Sequence, residues 1–163
     1  ELGGIRKTGR EKVFLISTTH GGETHAIAAG LATIDEFTKN NVIAHLHSIG
    51  DRLVKNCQKA VVTCGLPDFV QVVPCNWMPV FIFKNSKSEI CAGMRTFAMQ
   101  EMIRKGVLFQ GAFVPCYSHS IDDVEYFTEA FSEMLGKYSY ALTDGYEKHL
   151  VGEPAKPVFR KYL

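Results

Sequence analysis

The chain has 163 residues and a formal net charge of +1, with 46% hydrophobic and 21% charged residues. That is one domain's worth of ordinary globular composition, and the near-neutral charge gives no reason to expect nucleic acid or an anionic membrane as a partner. No apolar run approaches the ~20 residues that a membrane helix needs, and Glu1 to Lys7 does not resemble a signal peptide.

The first stretch, Glu1 to Lys12, is glycine-rich and charged and predicts a loop or a short helical piece. There is no initiating Met, so the sequence is expected to begin inside a longer protein or after processing. The apolar run Val13-Phe14-Leu15-Ile16 predicts a short buried strand. A polar turn with two glycines follows, Ser17 to Glu23, and then an alanine-rich helix over Thr24 to Lys39. The first amides of such a helix lack internal partners and carry the positive end of its dipole. Thr18 and Thr19 bring hydroxyls, His20 brings a polar ring, and Gly21 and Gly22 let the backbone come close to a ligand. The turn therefore either caps the helix or receives an oxyanion such as phosphate. The helix itself is apolar on most sides, with Ile27, Leu31, Ile34 and Phe37 among its alanines. That pattern predicts an element buried in a larger body, wedged between two domains.

Asn40-Asn41 ends that helix, and Val42 to Val62 carries Val42, Leu46, Ile49, Leu53, Cys57 and Val61 at spacings of three and four, an amphipathic helix with one core face. Gly65-Leu66-Pro67-Asp68 turns the chain. Phe69 to Val73 and Val80 to Lys84 read as paired strands. Ser86 and Glu89 have the spacing of a capping box, which predicts a helix start there, with Ile90, Met94, Phe97, Ala98 and Met102 as its buried face and Gly106 at its end. Val107 to Phe109 and Ala112 to Cys116 predict two further short strands around Gln110-Gly111. Ser120 to Asp123 is a second capping box, opening a last helix whose core face runs from Val124 to Leu142. The tail from Glu153 to Pro157 is proline-broken and predicted to be extended. From Val42 onward the expectation is an α+β unit, an antiparallel sheet with helices on one face.

The five cysteines are spaced 7, 11, 16 and 25 apart with no CxxC, so reduced thiols are expected rather than a zinc or redox site. His45 and His47 are separated by ~200° on a helix and cannot share a metal; no metal site is predicted.

The run STTHGGETHAIAAGLATI resembles the signature of class III, fold-type I pyridoxal-phosphate aminotransferases, in particular the glutamate-1-semialdehyde 2,1-aminomutase branch. The later features follow in the matching order: Ile49-Gly50-Asp51-Arg52-Leu53, Gly65-Leu66, Gln100-Glu101-Met102 before Lys105-Gly106-Val107-Leu108, and Ser118 to Asp123 at the last helix. The resemblance covers Val13 to Gly145. It implies a C-terminal portion, with residues 1–40 ending the large cofactor-binding domain as a strand, turn and long helix, and residues 41–163 forming the C-terminal α+β domain. It implies pyridoxal 5'-phosphate as cofactor, a homodimer, an N-terminal large domain upstream, a small-molecule amino donor and an aldehyde or keto acceptor, and a cytoplasmic enzyme. Thr19 matches the family threonine that holds the cofactor phosphate from the neighbouring subunit, with the Gly21 and Gly22 amides beside it and Thr18 and His20 on the same turn.

The Schiff-base lysine and its carboxylate precede this motif in the family. Neither Lys7 nor Lys12 sits in a family-like lysine motif, so this chain by itself is expected to be inactive. Arg95 is a candidate for a substrate carboxylate, with surface solvation as its alternative, and Gln110 lies where the family's C-terminal domain returns toward the active site. Aminomutases have a longer segment with a glutamate after the Gly-Val element. Here Gly106 to Ser120 is shorter and has no acid, which favours a related aminotransferase. A reading of another class remains beside this one, a catalytically silent α+β binding or dimerisation module.

Overall fold

The structure is a computed structural model that describes residues 22–156. The expected strand at Val13 to Ser17 lies outside the described residues. The chain divides into two compact units, Glu1–Val42 and Ile43–Leu163.

In the first unit, helix α1 spans Thr24–Lys39. It starts where the sequence places it, behind Gly22 at φ +104° and Glu23 in an extended conformation. It ends at Asn40, whose N–H reaches the Glu36 carbonyl, and at Asn41 with φ +54°. No residue of α1 is buried: Ile27, Leu31, Ile34 and Phe37 are 53%, 62%, 63% and 41% exposed. Among the described residues, nothing covers that apolar pattern.

The second unit contains the core. Helix α2 runs over Val42–Thr63 and buries Ile49, Leu53, Cys57 and Val61, the three-and-four spacing of the sequence. Gly65 closes it in the left-handed conformation, φ +69°, with Gly65 N–H on Val62 O and Leu66 N–H on Val61 O, both at 3.0 Å. That pair of bonds satisfies two terminal carbonyls, and φ > 0 is why the residue is glycine. Strands β1, Val70–Val73, and β2, Val80–Phe83, form an antiparallel pair in the register Val70↔Phe83 and Val72↔Phe81. Those four side chains are buried on one face. Helix α4, Ile121–Asp144, lies against them: Phe81 meets Phe127 and Phe131 at 5.8 and 5.2 Å, and Tyr138 donates to the Lys84 carbonyl at 2.6 Å. The fold is thus α+β, with helices covering one face of an antiparallel sheet. Among the described residues, no helix is long and apolar enough to cross a membrane.

Ser120 caps α4 as its sequence predicts, with its hydroxyl accepting from Asp123 N–H and the Asp123 carboxylate accepting from Ser120 N–H at 2.7 Å. The same spacing misleads at Ser86. Helix α3 is Ala92–Arg104, with Cys91 in the N-cap position, five residues beyond Ser86. Asn85 explains the delay: its side-chain oxygen accepts from both Lys87 and Glu89 N–H at 3.0 Å and closes a tight turn, with Ser88 at φ +61°. Ile90, expected in the core, is 78% exposed. The expected strands at Val107 to Phe109 and Ala112 to Cys116 are also not strands. Only an isolated bridge, Val80↔Ala112, forms, with Phe81 N–H on Gly111 O and Phe113 N–H on Pro79 O. Phe109 is nonetheless buried, edge-on to Phe81 at 5.1 Å, so its apolar character serves packing rather than a ladder.

The segment from Tyr146 to Ala155 is strapped across α3. Tyr146 lies on Gly93, where a Cβ would sit 2.1 Å from the tyrosine ring. Gln100 then holds the strap by both ends of its amide, donating to His149 O at 2.9 Å and accepting from Val151 N–H at 2.8 Å, and Thr96 accepts from Ala155 N–H.

Candidate functional site

Thr18, Thr19, His20 and Gly21 lie outside the described residues. Gly22 is described: it is exposed, has φ +104°, and has nothing within 4 Å of a Cβ built upon it. That φ lies in the left-handed region, which favours glycine at this position.

The two remaining candidates, Arg95 and Gln110, come together. The outer edge of β2, away from β1, is bonded at one end by Phe81 N–H to Gly111 O and at the other by Cys91 N–H to Phe83 O, at 2.9 and 3.0 Å. The hairpin-like turn through Asn85 brings Ile90 back beside Lys84 and sets up the start of α3. A cleft of about 420 Å³ lies along this edge, between the first turn of α3 and the Gln110–Ala112 turn. Its lining is mostly apolar, including Ile82, Ile90, Ala92 and Ala112, and its volume falls in the small-molecule range.

Arg95 is the charged side chain in that lining. It sits one helical turn after Cys91, on the same face of α3, and its Nη2 donates to the Gln110 carbonyl at 2.5 Å. The side of the guanidinium carrying Nε faces Gly111, where an added Cβ would be 3.1 Å from Nε. Gly111 is buried at φ +89°, so glycine is required twice, for the turn and for room beside the guanidinium. Among the described residues, no carboxylate pairs with Arg95; the residue is exposed, in line with the surface alternative, and a neutral carbonyl holds its guanidinium beside the cleft. Gln110 contributes its backbone oxygen; its side chain makes no hydrogen bond among the described residues.

Sequence reading placed Gln110-Gly111 near the site but missed Cys91 and Ile82 as parts of this cleft, because they join it through the β2 edge rather than through local spacing. It also missed Glu101. That residue is 2% exposed, and its carboxylate accepts from Lys137 at 2.6 Å, from Gln100 at 3.1 Å and from Arg104. Burial opposes ionisation there, but the hydrogen bonds from Lys137 and Gln100 and the charges of Lys137 and Arg104 outweigh it and hold the carboxyl below its ordinary range. Its partners are all spoken for within the fold, so the group ties α3 to α4. Burial pushes the Cys57 thiol up to about 12, against a lowering hydrogen bond from Thr128, and makes it an inert core residue. All five cysteines are free thiols.

No family model matches the chain, and no solved structure matches it. The chain is similar to the 3-aminobutyryl-CoA aminotransferase of Cloacimonas acidaminovorans (strain Evry), with 28% identity over 135 residues. The match takes in 81% of this chain and 32% of that protein, so the chain spans about a third of the length of the aminotransferase it resembles.

Proposed function

We propose that this chain is the C-terminal portion of a cytoplasmic, pyridoxal-phosphate-dependent aminotransferase that works as a homodimer. The observation that carries the reading is the similarity to an aminotransferase over 81% of the chain. The left-handed Gly22 ahead of α1 supports it, because that conformation opens the first amides of the helix to a dianion. Thr19 would hold the phosphate through its hydroxyl, with the Gly21 and Gly22 amides as further donors, Thr18 and His20 on the same turn, and a second subunit completing the site. The bound cofactor supplies an electron sink for moving the amino group. The chain's own part is to fix the phosphate and to orient a small-molecule amino donor and an aldehyde or keto acceptor, with Arg95 and Gln110 on the substrate side. The lysine that carries the cofactor belongs to a preceding large domain. The 163 residues alone should therefore show no transamination, and borohydride should not fix cofactor at any one lysine of them.

The test is made on the whole enzyme. Thr19→Val keeps the shape of the side chain and removes one hydrogen bond to a charged acceptor, which should weaken cofactor binding by about 1.5–3 kcal/mol, or roughly 10- to 150-fold. Thr19→Ser should recover most of that loss. Titration of the apo-enzymes with pyridoxal phosphate reads all three variants, and equal affinities for Val and Thr would leave Thr19 an ordinary turn residue.

A further inference from the structure

We propose that the cleft on the outer edge of β2 binds one acylated amino-acid residue, held by its own N–H and C=O at a gap in the hydrogen bonding of that edge. The gap follows from the ladder. Lys84 N–H bonds to Phe69 O at 2.9 Å, so Val80, Ile82 and Lys84 turn their main-chain groups toward β1, and those of Phe81 and Phe83 point the other way. Phe81 N–H is taken up by Gly111 O, and Phe83 O by Cys91 N–H. Phe81 O and Phe83 N–H have no hydrogen-bond partner among the described residues, and both residues line the cleft.

An edge strand leaves a row of such groups open to pairing with another chain. Here the open acceptor and the open donor flank Ile82, with Gly111 opposite Phe81 and Cys91 opposite Phe83. A guest strand running antiparallel would need the positions that Gly111 and Cys91 already hold. A single residue opposite Ile82, running parallel to β2, fits between them. Its N–H meets Phe81 O, and its C=O meets Phe83 N–H, the slanted pair of bonds of a parallel ladder. Side chains alternate along a strand, so Val80 and Ile82 share the face away from buried Phe81 and Phe83. The guest's side chain falls on that same face, beside Ile82. Val80, Ile82, Ile90 and Ala112 make its surroundings apolar, which selects a hydrocarbon side chain. The volume of about 420 Å³ is in the range for a small molecule. Arg95 is exposed and takes no part in this pairing.

The site goes beyond the aminotransferase reading and does not rest on it, and its test uses no cofactor. The complete 163-residue chain, nitrogen-labelled, is followed through its main-chain amide resonances. In the free chain the Phe83 amide should exchange with solvent faster than those of Ile82 and Lys84, which face β1. N-acetylvaline N-methylamide should then shift the Phe83 amide in a saturable way. Its ester analogue, with oxygen in place of the valine N–H, loses the donor to Phe81 O and should bind at least about fivefold more weakly. N-acetylglycine N-methylamide lacks the side chain and should bind at least about threefold more weakly. Ala92→Leu, at an exposed position in the lining, should narrow the cleft and weaken binding of the valine compound several-fold without changing the melting temperature; if it unfolds the chain, the comparison of ligands decides. A Phe83 amide as protected as that of Ile82, no saturable shift, an ester or a glycine compound that binds as tightly as the valine amide, or a folded Ala92→Leu chain with undiminished affinity would each overturn the proposal.

Discussion

Glu101→Gln tests how the second unit is tied together. The substitution keeps size and hydrogen-bonding shape and removes the negative charge from a side chain that is 2% exposed. Breaking a fully buried ion pair costs about 3–5 kcal/mol, because the orphaned charge stays out of water. Here the orphans are Arg104 and Lys137, whose side chains are 49% and 52% exposed and can turn to solvent. The loss should therefore fall to that of charge-assisted hydrogen bonds made neutral, about 1–3 kcal/mol. The pH dependence follows from the depressed carboxyl of the folded chain. Unfolded, a glutamate titrates near pH 4.3, so the stabilisation is fully present above that value and disappears as pH falls through the lower, folded one. Urea unfolding of the 163-residue chain and of Glu101→Gln at pH 7 and at pH 3 reads both effects. The difference between them should be about 1–3 kcal/mol at pH 7 and should shrink at pH 3. A difference that is the same at both pH values would show that the charge of Glu101 is not what ties α3 to α4.

Phe81→Ala removes a ring that meets Phe109, Phe131 and Phe127 at 5.1, 5.2 and 5.8 Å and should cost about 3–5 kcal/mol in denaturant unfolding; a loss under about 1 kcal/mol would contradict the packing. Gly93→Ala drives a Cβ into Tyr146 and should lower stability by about 1–3 kcal/mol while releasing the Val151 amide to hydrogen exchange, whereas unchanged protection there would contradict the strap. In native protein a thiol reagent should label the exposed Cys64 and Cys116 quickly and leave Cys57 untouched until urea is added; rapid native labelling of Cys57 would refute its burial.

Helices α1, α2 and α4 were legible because each rests on local signals: alanine content, a three-and-four apolar spacing that ends in a left-handed Gly65, and a capping box at Ser120. Where two local motifs compete, the sequence is ambiguous. Asn85 closes its own turn with the same amides that a Ser86 cap would organise, so α3 starts at Ala92. The segment from Val107 to Cys116 has strand composition, but its hydrogen bonds depend on which β2 edge it meets, and only Gly111 and Phe113 meet one. Arg95 and Gln110 were visible as residues, but not as one cleft. Fifteen positions apart, they are joined by the turn from Gly106, φ +76°, to Gly111, φ +89°, a backbone path that side-chain patterning does not encode.

The most direct test is spectroscopic and uses the protein of the complete reading frame that contains this chain. Purified without cofactor and titrated with pyridoxal phosphate, it should bind about one cofactor per subunit and gain an absorbance band above that of its aromatic residues. An amino donor should then convert that band, and an oxo or aldehyde acceptor should restore it. Failure to bind cofactor at saturating concentration, or a bound cofactor whose spectrum no amino donor changes, would contradict the account.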